Sequence, residues 1–250
     1  LKLLQHLNVE FRGTDNNIKT ECLWCGSDSL SMDSEAPHQF SCFKCKEKGN
    51  AFSYLRKWYE SLPQLKKSEA ANLCDLKKGI KPLTLRECGV RFYADLYWLP
   101  IYNQKNHLIS LHKYVPNTNI VYGSPKPTAL TVVGMQNLGK SDTIWVAEGW
   151  WDYFTIYPQM KDTGIDLLAT CGSYFNSAHL SVLKDKHIVL LYDNDTAGKD
   201  GIDYVARNVK SNTIPHLSLS YLDWGKITLP SGQLESGFDV RDLHLAFSER

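Results

Sequence analysis

The chain has 250 residues, 43% hydrophobic and 22% charged, with a formal net charge of +1. Such numbers describe an ordinary soluble globular protein of one large domain or two to three small ones. No apolar run approaches the ~18–20 residues of a membrane span, so no membrane partner is expected. It begins at Leu1 and stops at Ser-Glu-Arg, which reads as a piece of something longer.

Charge and cysteines become informative when placed along the chain. Residues 1–60 carry eight basic and eight acidic groups, residues 61–130 ten and four, and residues 131–250 ten and fifteen. A basic middle beside an acidic end suits a polyanion held next to a cation site; a merely solvated basic face fits equally well. Four of the seven cysteines form close pairs, and Cys74, Cys88 and Cys171 are scattered. That is no secreted disulfide framework, so a reducing, intracellular compartment is inferred.

In chain order, residues 1–9 read as a short amphipathic helix, and residues 20–46 hold the paired cysteines among polar turns. Gly49-Asn50 precedes AFSYLRKWY, a helix with Asn50 as its N-cap. Residues 61–82 are Lys-rich, with Pro63 and Pro82 near the ends, and make a linker or helical connector. Residues 97–133, rich in Tyr, Ile and Val, read as short antiparallel strands turning at 103–106 and 116–119. From Asp142 strands and helices alternate: strand IWVA (144–147), helix WDYFTIY, strand IDLLAT (165–170), a helix capped by Asn176 and Ser177 through Asp185, strand HIVLLY, a helix at 197–210 and strand HLSLSYL (216–222). Apolar strands in that alternation imply a parallel sheet covered on both faces. Gly134 to Ser141 fits the phosphate-loop pattern GxxxxGK[ST] as text. A working loop opens a helix, whereas here strand follows, so the pattern is read as a coincidental turn.

Ligands of open α/β sheets bind at the carboxyl ends of strands. Glu148 follows IWVA, and Asp193 and Asp195 follow the third strand. If those strands are neighbours, three carboxylates converge, and a divalent cation relieves their repulsion. Hard oxygen ligands favour magnesium or manganese over zinc. The i, i+2 spacing points both aspartates one way if the strand continues through them. Asp after a strand also serves turns and caps, and Asp152 suits the first turn of its helix.

Glu148-Gly-x-x-Asp152, Ala169-Thr170-Cys171-Gly172-Ser173, Asp193-Asn-Asp195-x-Ala-Gly198 and Asp239-x-x-Asp242-Leu243 together resemble a Toprim domain, found in topoisomerases, primases and certain nucleases. The resemblance implies metal coordination by Glu148, Asp193 and Asp195, one or two magnesium or manganese ions, and a catalytic setting that includes Asp152, Asp239 and Asp242. Asn194 stands where Gly is frequent in that family, and Cys171-Gly172-Ser173 replaces a common Leu-Gly-Thr.

Cys22-x2-Cys25, sixteen residues, then Cys42-x2-Cys45 can offer four thiolates tetrahedrally to one structural zinc. Aromatics beside lysines can stack on unpaired bases while Lys contacts phosphate; alternatively the aromatics pack the small zinc-domain core. At least one of Phe40 and Phe43 is expected in that core, which leaves Trp24, Lys44 and Lys46 as nucleic-acid contacts. The run from Phe40 through Cys45 to Gly49-Asn50-Ala-Phe52 resembles the zinc ribbon of bacterial and phage primases, and a ribbon ahead of a Toprim core is primase order. The middle segment is similar to the small lobe preceding Toprim in primases, where basic side chains line a groove for template and nucleotide; Arg86, Arg91, Lys113 and Lys126 are its candidates here.

The expected architecture is multidomain, α/β and α+β: a β-rich zinc ribbon (1–60), a connector (61–82), a basic α+β lobe (83–140) and a Toprim domain (141–250) whose parallel sheet is flanked by helices. The resemblance implies a DNA-directed primase making short RNA primers de novo on single-stranded DNA from NTPs. A replicative helicase, fused or separate, would be its partner in the cytoplasm of a bacterial or phage-infected cell, at replication sites. A Toprim metal-dependent nuclease and a zinc-dependent single-strand-binding module are the alternatives.

Overall fold

The computed structural model describes residues 1–14, 17–33, 39–125, 132–139, 141–172, 183–211, 217–229, 232 and 234–248. The chain divides into two compact units. The first comprises Leu1–Leu65, Gly89–Ile101 and His107–Leu130; the second comprises Lys66–Cys88, Tyr102–Asn106 and Thr131–Arg250.

The first unit opens with helix α1 (Lys2–His6), followed by strands β1 (Phe11–Arg12), β2 (Ile18–Thr20), β3 (Leu30–Met32), β4 (Gln39–Cys42) and β5 (Lys48–Asn50). These five pair antiparallel in sequence order. Alternation sorts their side chains: Phe40 and Cys42 of β4 point inward while Gln39 and Ser41 face water. Helix α2 (Ala51–Ser61) starts where sequence places it. The Asn50 side chain accepts from the Ser53 amide at 3.1 Å, and Ser53 Oγ accepts from the Asn50 amide at 2.8 Å. Such reciprocal capping satisfies two otherwise orphaned donors.

Strands β6 (Arg91–Tyr93), β7 (Leu96–Tyr102), β8 (Leu108–Val115) and β9 (Ile120–Tyr122) form the unit's second sheet, in that order. Helix α2 serves both sheets through residues one turn apart. Its Tyr54 meets Phe40 of β4 edge-on at 5.9 Å, and its Trp58 meets Trp98 of β7 at 4.7 Å. Buried His6 of α1 bonds the Leu111 carbonyl of β8 through Nε2 at 2.9 Å. Burial holds that imidazole down to about 4, with Lys113 adding to the effect and the Leu111 bond opposing it.

The second unit contains helices α3 (Lys67–Leu76) and α4 (Pro82–Glu87), the latter opening on a proline whose missing N–H costs nothing at that position. Strand β10 (Thr143–Ala147), helix α5 (Trp150–Met160), strands β11 (Asp166–Ala169) and β12 (His187–Leu191), helix α6 (Thr196–Lys210), strand β13 (Ser218–Tyr221) and helix α7 (Val240–Ser248) follow. The sheet order is β11-β10-β12-β13, and all pairs are parallel. Ile144, Val146, Leu168, Ile188, Leu190 and Val205 lead its buried core. The expected helix at Asn176 and Ser177 lies outside the described residues, as does Lys140.

The text match to a phosphate loop folds differently from one. A 3₁₀ turn (Met135–Asn137) follows Gly134, and β10 comes next, as the strand-like sequence requires. The amides of Gly139 and Ser141 donate to Asp166 Oδ2 at 2.8 and 3.4 Å, so a carboxylate of the protein already takes those donors.

Candidate functional site

The four paired cysteines form a cage. Cys22 Sγ lies 3.7 Å from Cys45 Sγ, Cys25 Sγ lies 3.8 Å from Cys42 Sγ, and all four sulfurs fall within 4.8 Å of one another. A tetrahedron with Zn–S near 2.3 Å has edges of about 3.8 Å, so the sulfur set fits zinc. Local backbone makes the fit. In each knuckle the amide four residues after the first cysteine bonds its carbonyl: Gly26 to Cys22 at 2.8 Å and Lys46 to Cys42 at 3.0 Å. Each first cysteine in turn donates its amide to a carbonyl five residues on, Ser27 or Glu47, at 2.8 Å. Burial pushes the Cys22 thiol up to about 12, while the Cys45 amide leads the groups that lower Cys42 to about 6. A bound divalent cation removes that conflict by favouring thiolate at every position.

Around the cage the aromatics separate cleanly. Phe40 is buried, and Trp24 stacks on it at 5.0 Å with Tyr54 6.5 Å away. Trp24 is therefore half-buried in the ribbon core. Phe43, between Cys42 and Cys45, is 69% exposed, with Lys44, Lys46 and Lys48 exposed around it in sequence. Counting aromatics could not separate these roles; their position relative to the knuckle does. Phe40 lies on the inward face of β4, while Phe43 lies beyond the strand in the turn itself.

The carboxylates gather at the carboxyl edge of the parallel sheet. Register sets Ala147 opposite both Ala169 and Leu191, so the residues that follow emerge together. Glu148 Oε2 accepts from the Asp193 amide at 3.3 Å. The Gly172 amide donates to the Glu148 carbonyl at 3.1 Å, which ties the Ala169–Gly172 motif to the same edge. Strand β12 stops at Leu191, so pleat alternation does not relate Asp193 to Asp195. The chain turns instead, and Asp195 caps α6 by accepting from Gly198 N at 2.7 Å. A Cβ on Gly198 would stand 2.3 Å from the Asp193 carbonyl oxygen, so the first turn of α6 packs on the aspartate backbone only because glycine is there.

Three further acids join them. Asp152, on the first turn of α5, is 5% exposed. Asp239 and Asp242 cap α7 reciprocally: Asp242 N donates to Asp239 Oδ1 at 2.7 Å, and Asp239 N to Asp242 Oδ2 at 3.2 Å. Arg241, which sequence left without a role, donates to Asp239 Oδ2 at 3.1 Å. Its place between two aspartates was the available signal. Lys77, which caps the C-terminus of α3, sits 4.9 Å from the Trp151 ring, and burial, reinforced by Arg241, lowers its pKa.

Burial and mutual repulsion show in the proton affinities. Asp193 is pushed up to about 8 by burial, then by Asp152, Glu148, Asp239 and Asp195. Asp152 is pushed up to about 7 by burial and Asp239, against the opposing charge of Arg241. Asp239 is raised, chiefly by burial. Oδ1 of Asp152 and Oδ1 of Asp193 are buried with no hydrogen-bond partner among the described residues. Buried acceptors without donors, inside a set of like charges, fit a hard divalent cation.

The basic candidates fall in different settings. Arg86 is exposed on α4. Arg91 lies with its guanidinium 5.1 Å from the Tyr59 ring and Nη1 3.5 Å from the Leu62 carbonyl. Lys113 donates to the His6 carbonyl at 3.0 Å, and burial lowers its pKa. Lys126 lies outside the described residues.

Residues 145–226 match the family model described as Toprim-like. They hold Glu148, Asp152, Asp193 and Asp195, so this segment is a Toprim-like domain. In fold the chain is similar to primase catalytic cores. The chain resembles the zinc-binding and RNA polymerase domains of Aquifex aeolicus primase, with TM-score 0.52 and 14% identity over 100% of this chain and 81% of that one. A DNA primase domain from Pseudomonas aeruginosa matches with TM-score 0.60 and 18% identity, over 78% and 74% of the two chains. The primase fragment of the bacteriophage T7 primase-helicase protein matches with TM-score 0.52 and 16% identity, over 96% and 97%. At these identities the likeness is one of fold. No curated protein matches the sequence significantly.

Proposed function

We propose that this chain is a DNA-directed primase that joins ribonucleotides de novo on a single-stranded DNA template. The observation that carries the reading is the delivery of Glu148 and Asp193 to one sheet edge by adjacent parallel strands, in a chain that also folds a four-cysteine cage. The chemistry is attack of a 3′-hydroxyl on an α-phosphate, with pyrophosphate leaving. Glu148, Asp193 and Asp195 would hold one or two magnesium or manganese ions, with Asp152, Asp239 and Asp242 completing the acidic surroundings. Such ions neutralise phosphate charge and align the reacting oxygens. Partial burial of these carboxylates, complete only at Asp152, limits competing water and strengthens their field at the reacting phosphate.

In this reading the work is divided as the sequence suggests, among a ribbon (1–60), a connector (61–82), a basic lobe (83–140) and the Toprim part (141–250). The zinc ribbon selects the start site. The geometry favours Phe43, with Lys44 and Lys46, over packed Trp24 as its contact with unpaired bases. Arg86, Arg91 and Lys126 are the lobe's candidates for template or triphosphate; Lys113 joins them only if it releases the His6 carbonyl. One similar structure is the primase fragment of a primase-helicase protein, and on that likeness we propose a replicative helicase as partner, at replication sites in the cytoplasm.

One gel tests the proposal. End-labelled single-stranded DNA, separately labelled NTPs and magnesium or manganese are incubated with the chain and with its Asp193→Ala and Cys42→Ser variants. New short oligoribonucleotides, lost in both variants, are expected. Shortened DNA without NTP use would replace the primase by a Toprim nuclease. DNA binding with neither product would leave a single-strand-binding module.

A further inference from the structure

Asn194 separates the two aspartates that cap the third parallel strand, and the chemistry above gives its side chain nothing to do. Three hydrogen bonds join this residue to the segment that carries Asp239. Asn194 N donates to the Phe238 carbonyl at 2.8 Å, and Gly237 N donates to the Asn194 carbonyl at 2.8 Å. Any residue at 194 could make those two. The third belongs to the side chain: Asn194 Nδ2 donates to the Glu235 carbonyl at 3.1 Å.

We infer that Asn194 is a positioning residue whose side-chain amide fastens the 235–239 segment to the aspartate turn and so holds Asp239 beside the metal-binding carboxylates. This rests on the metal reading proposed above. The segment needs a fastening because Asp239 is the next residue after Phe238 and bears on both Asp193 and Asp152 with like charge. Left to Coulomb repulsion alone, it would swing away. Gly237, at φ +82°, bends the segment so that its own amide and the Phe238 carbonyl both face Asn194. On the other side of the turn, Trp224 Nε1 donates to the Tyr192 carbonyl at 2.8 Å, and the Trp224 ring meets Phe238 at 6.1 Å. The backbone before Asp193 is thus anchored independently, which leaves the Nδ2 bond as the contact peculiar to the side chain at 194.

The test uses the zinc-loaded chain and four variants: Asn194→Gly, Asp239→Asn, the Asn194→Gly/Asp239→Asn double substitution and Asn194→Asp. Mn²⁺ binding is titrated by electron paramagnetic resonance, and hydrogen exchange is followed at Gly237. Glycine keeps both backbone bonds and loses only the side-chain one. Its Mn²⁺ affinity should fall roughly threefold to tenfold, the scale of one net hydrogen bond, and exchange at Gly237 should quicken. In the Asp239→Asn background the same substitution should leave Mn²⁺ affinity unchanged, because Asn194 acts through Asp239. Asn194→Asp keeps the side-chain shape but turns the donor into an acceptor, and should quicken Gly237 exchange as glycine does. Equal Mn²⁺ affinity in the glycine variant, or an undiminished effect without Asp239, would overturn the positioning role. An unsubstituted chain that binds no Mn²⁺ would overturn the metal reading itself and the role with it.

Discussion

The protein holds two clusters of candidate metal ligands, one of cysteines and one of carboxylates, and they are built in opposite ways. The cysteine cage draws its ligands from two knuckles within residues 22–45, each closed by its own backbone hydrogen bonds. The carboxylate cluster draws on residues from 148 to 242, brought together by strand register and two helix caps. The cage is compact: among the described residues it is the one set of three or more ligand groups whose atoms all lie within 4.8 Å. The carboxylates remain more splayed, and burial together with their mutual repulsion raises the proton affinity of Asp193 and Asp152. A local site can therefore be shaped by its turns, whereas a non-local one must be held together by the fold against its own charge.

The largest expected effect breaks the local cluster. Cys42→Ser removes one of the four thiols of a cage that fits zinc, and structural zinc contributes roughly 10–16 kcal/mol in small zinc domains, comparable to or above a whole domain's stability. Zinc content should fall below one per chain, and the Trp24–Phe40–Tyr54 packing should be lost from near-ultraviolet dichroism. Full zinc with an unchanged spectrum would show that the cage does not need its ion.

Acidity should separate the two units by sign. Asp193 and Asp152 are raised above the ordinary carboxylate range, to about 8 and about 7, so the folded second unit binds protons more tightly than its unfolded chain. Without divalent cation, its stability should fall as pH rises from about 4 toward 8. His6 is lowered to about 4, so the unfolded chain binds the proton more tightly there, and this group should make the first unit gain stability as pH rises from about 4 to 6.5. Hydrogen exchange across that range, read separately around Leu190 and around Leu111, should show opposite slopes. Parallel slopes would mean that these groups do not govern either unit.

A smaller effect sharpens the ribbon assignment. Phe43→Ala should weaken single-stranded DNA binding by about 1–3 kcal/mol, the usual loss of one base–aromatic stack, without changing the melting temperature. Trp24→Ala should do the reverse, since its ring packs on Phe40. Fluorescence anisotropy and calorimetry on both variants would expose an exchange of roles. Smallest is Asn50→Ala, which removes the cap of α2 and should cost about 1 kcal/mol in a denaturant titration, with zinc retained.

How much was legible in sequence follows the same division. The cysteine spacing, the Asn50 cap and the alternation of apolar strands with helices that implies a parallel sheet are written in local pattern, and the structure realises each of them. Asp195 shows where local pattern stops: two aspartates at i, i+2 say nothing about whether the strand continues, and here a helix begins instead. Trp24 and Phe43 are both aromatics in a cysteine-rich stretch, and only the fold separates them: Trp24 stacks on Phe40, an inward residue of β4, while Phe43 stands in the turn beyond that strand. Asn194 meets Glu235, Gly237 and Phe238, which no local pattern places beside it, whereas the partners of Arg241 stand next to it in sequence.

The most direct measurement is the melting temperature of the zinc-loaded chain at pH 8, with and without magnesium, beside its Asp193→Asn variant. If the sheet-edge acids form a repulsive cluster awaiting a divalent cation, the variant should melt higher than the unsubstituted chain without magnesium. Magnesium should then raise only the unsubstituted chain. A variant that melts lower without magnesium, with both chains raised equally by it, would contradict the account.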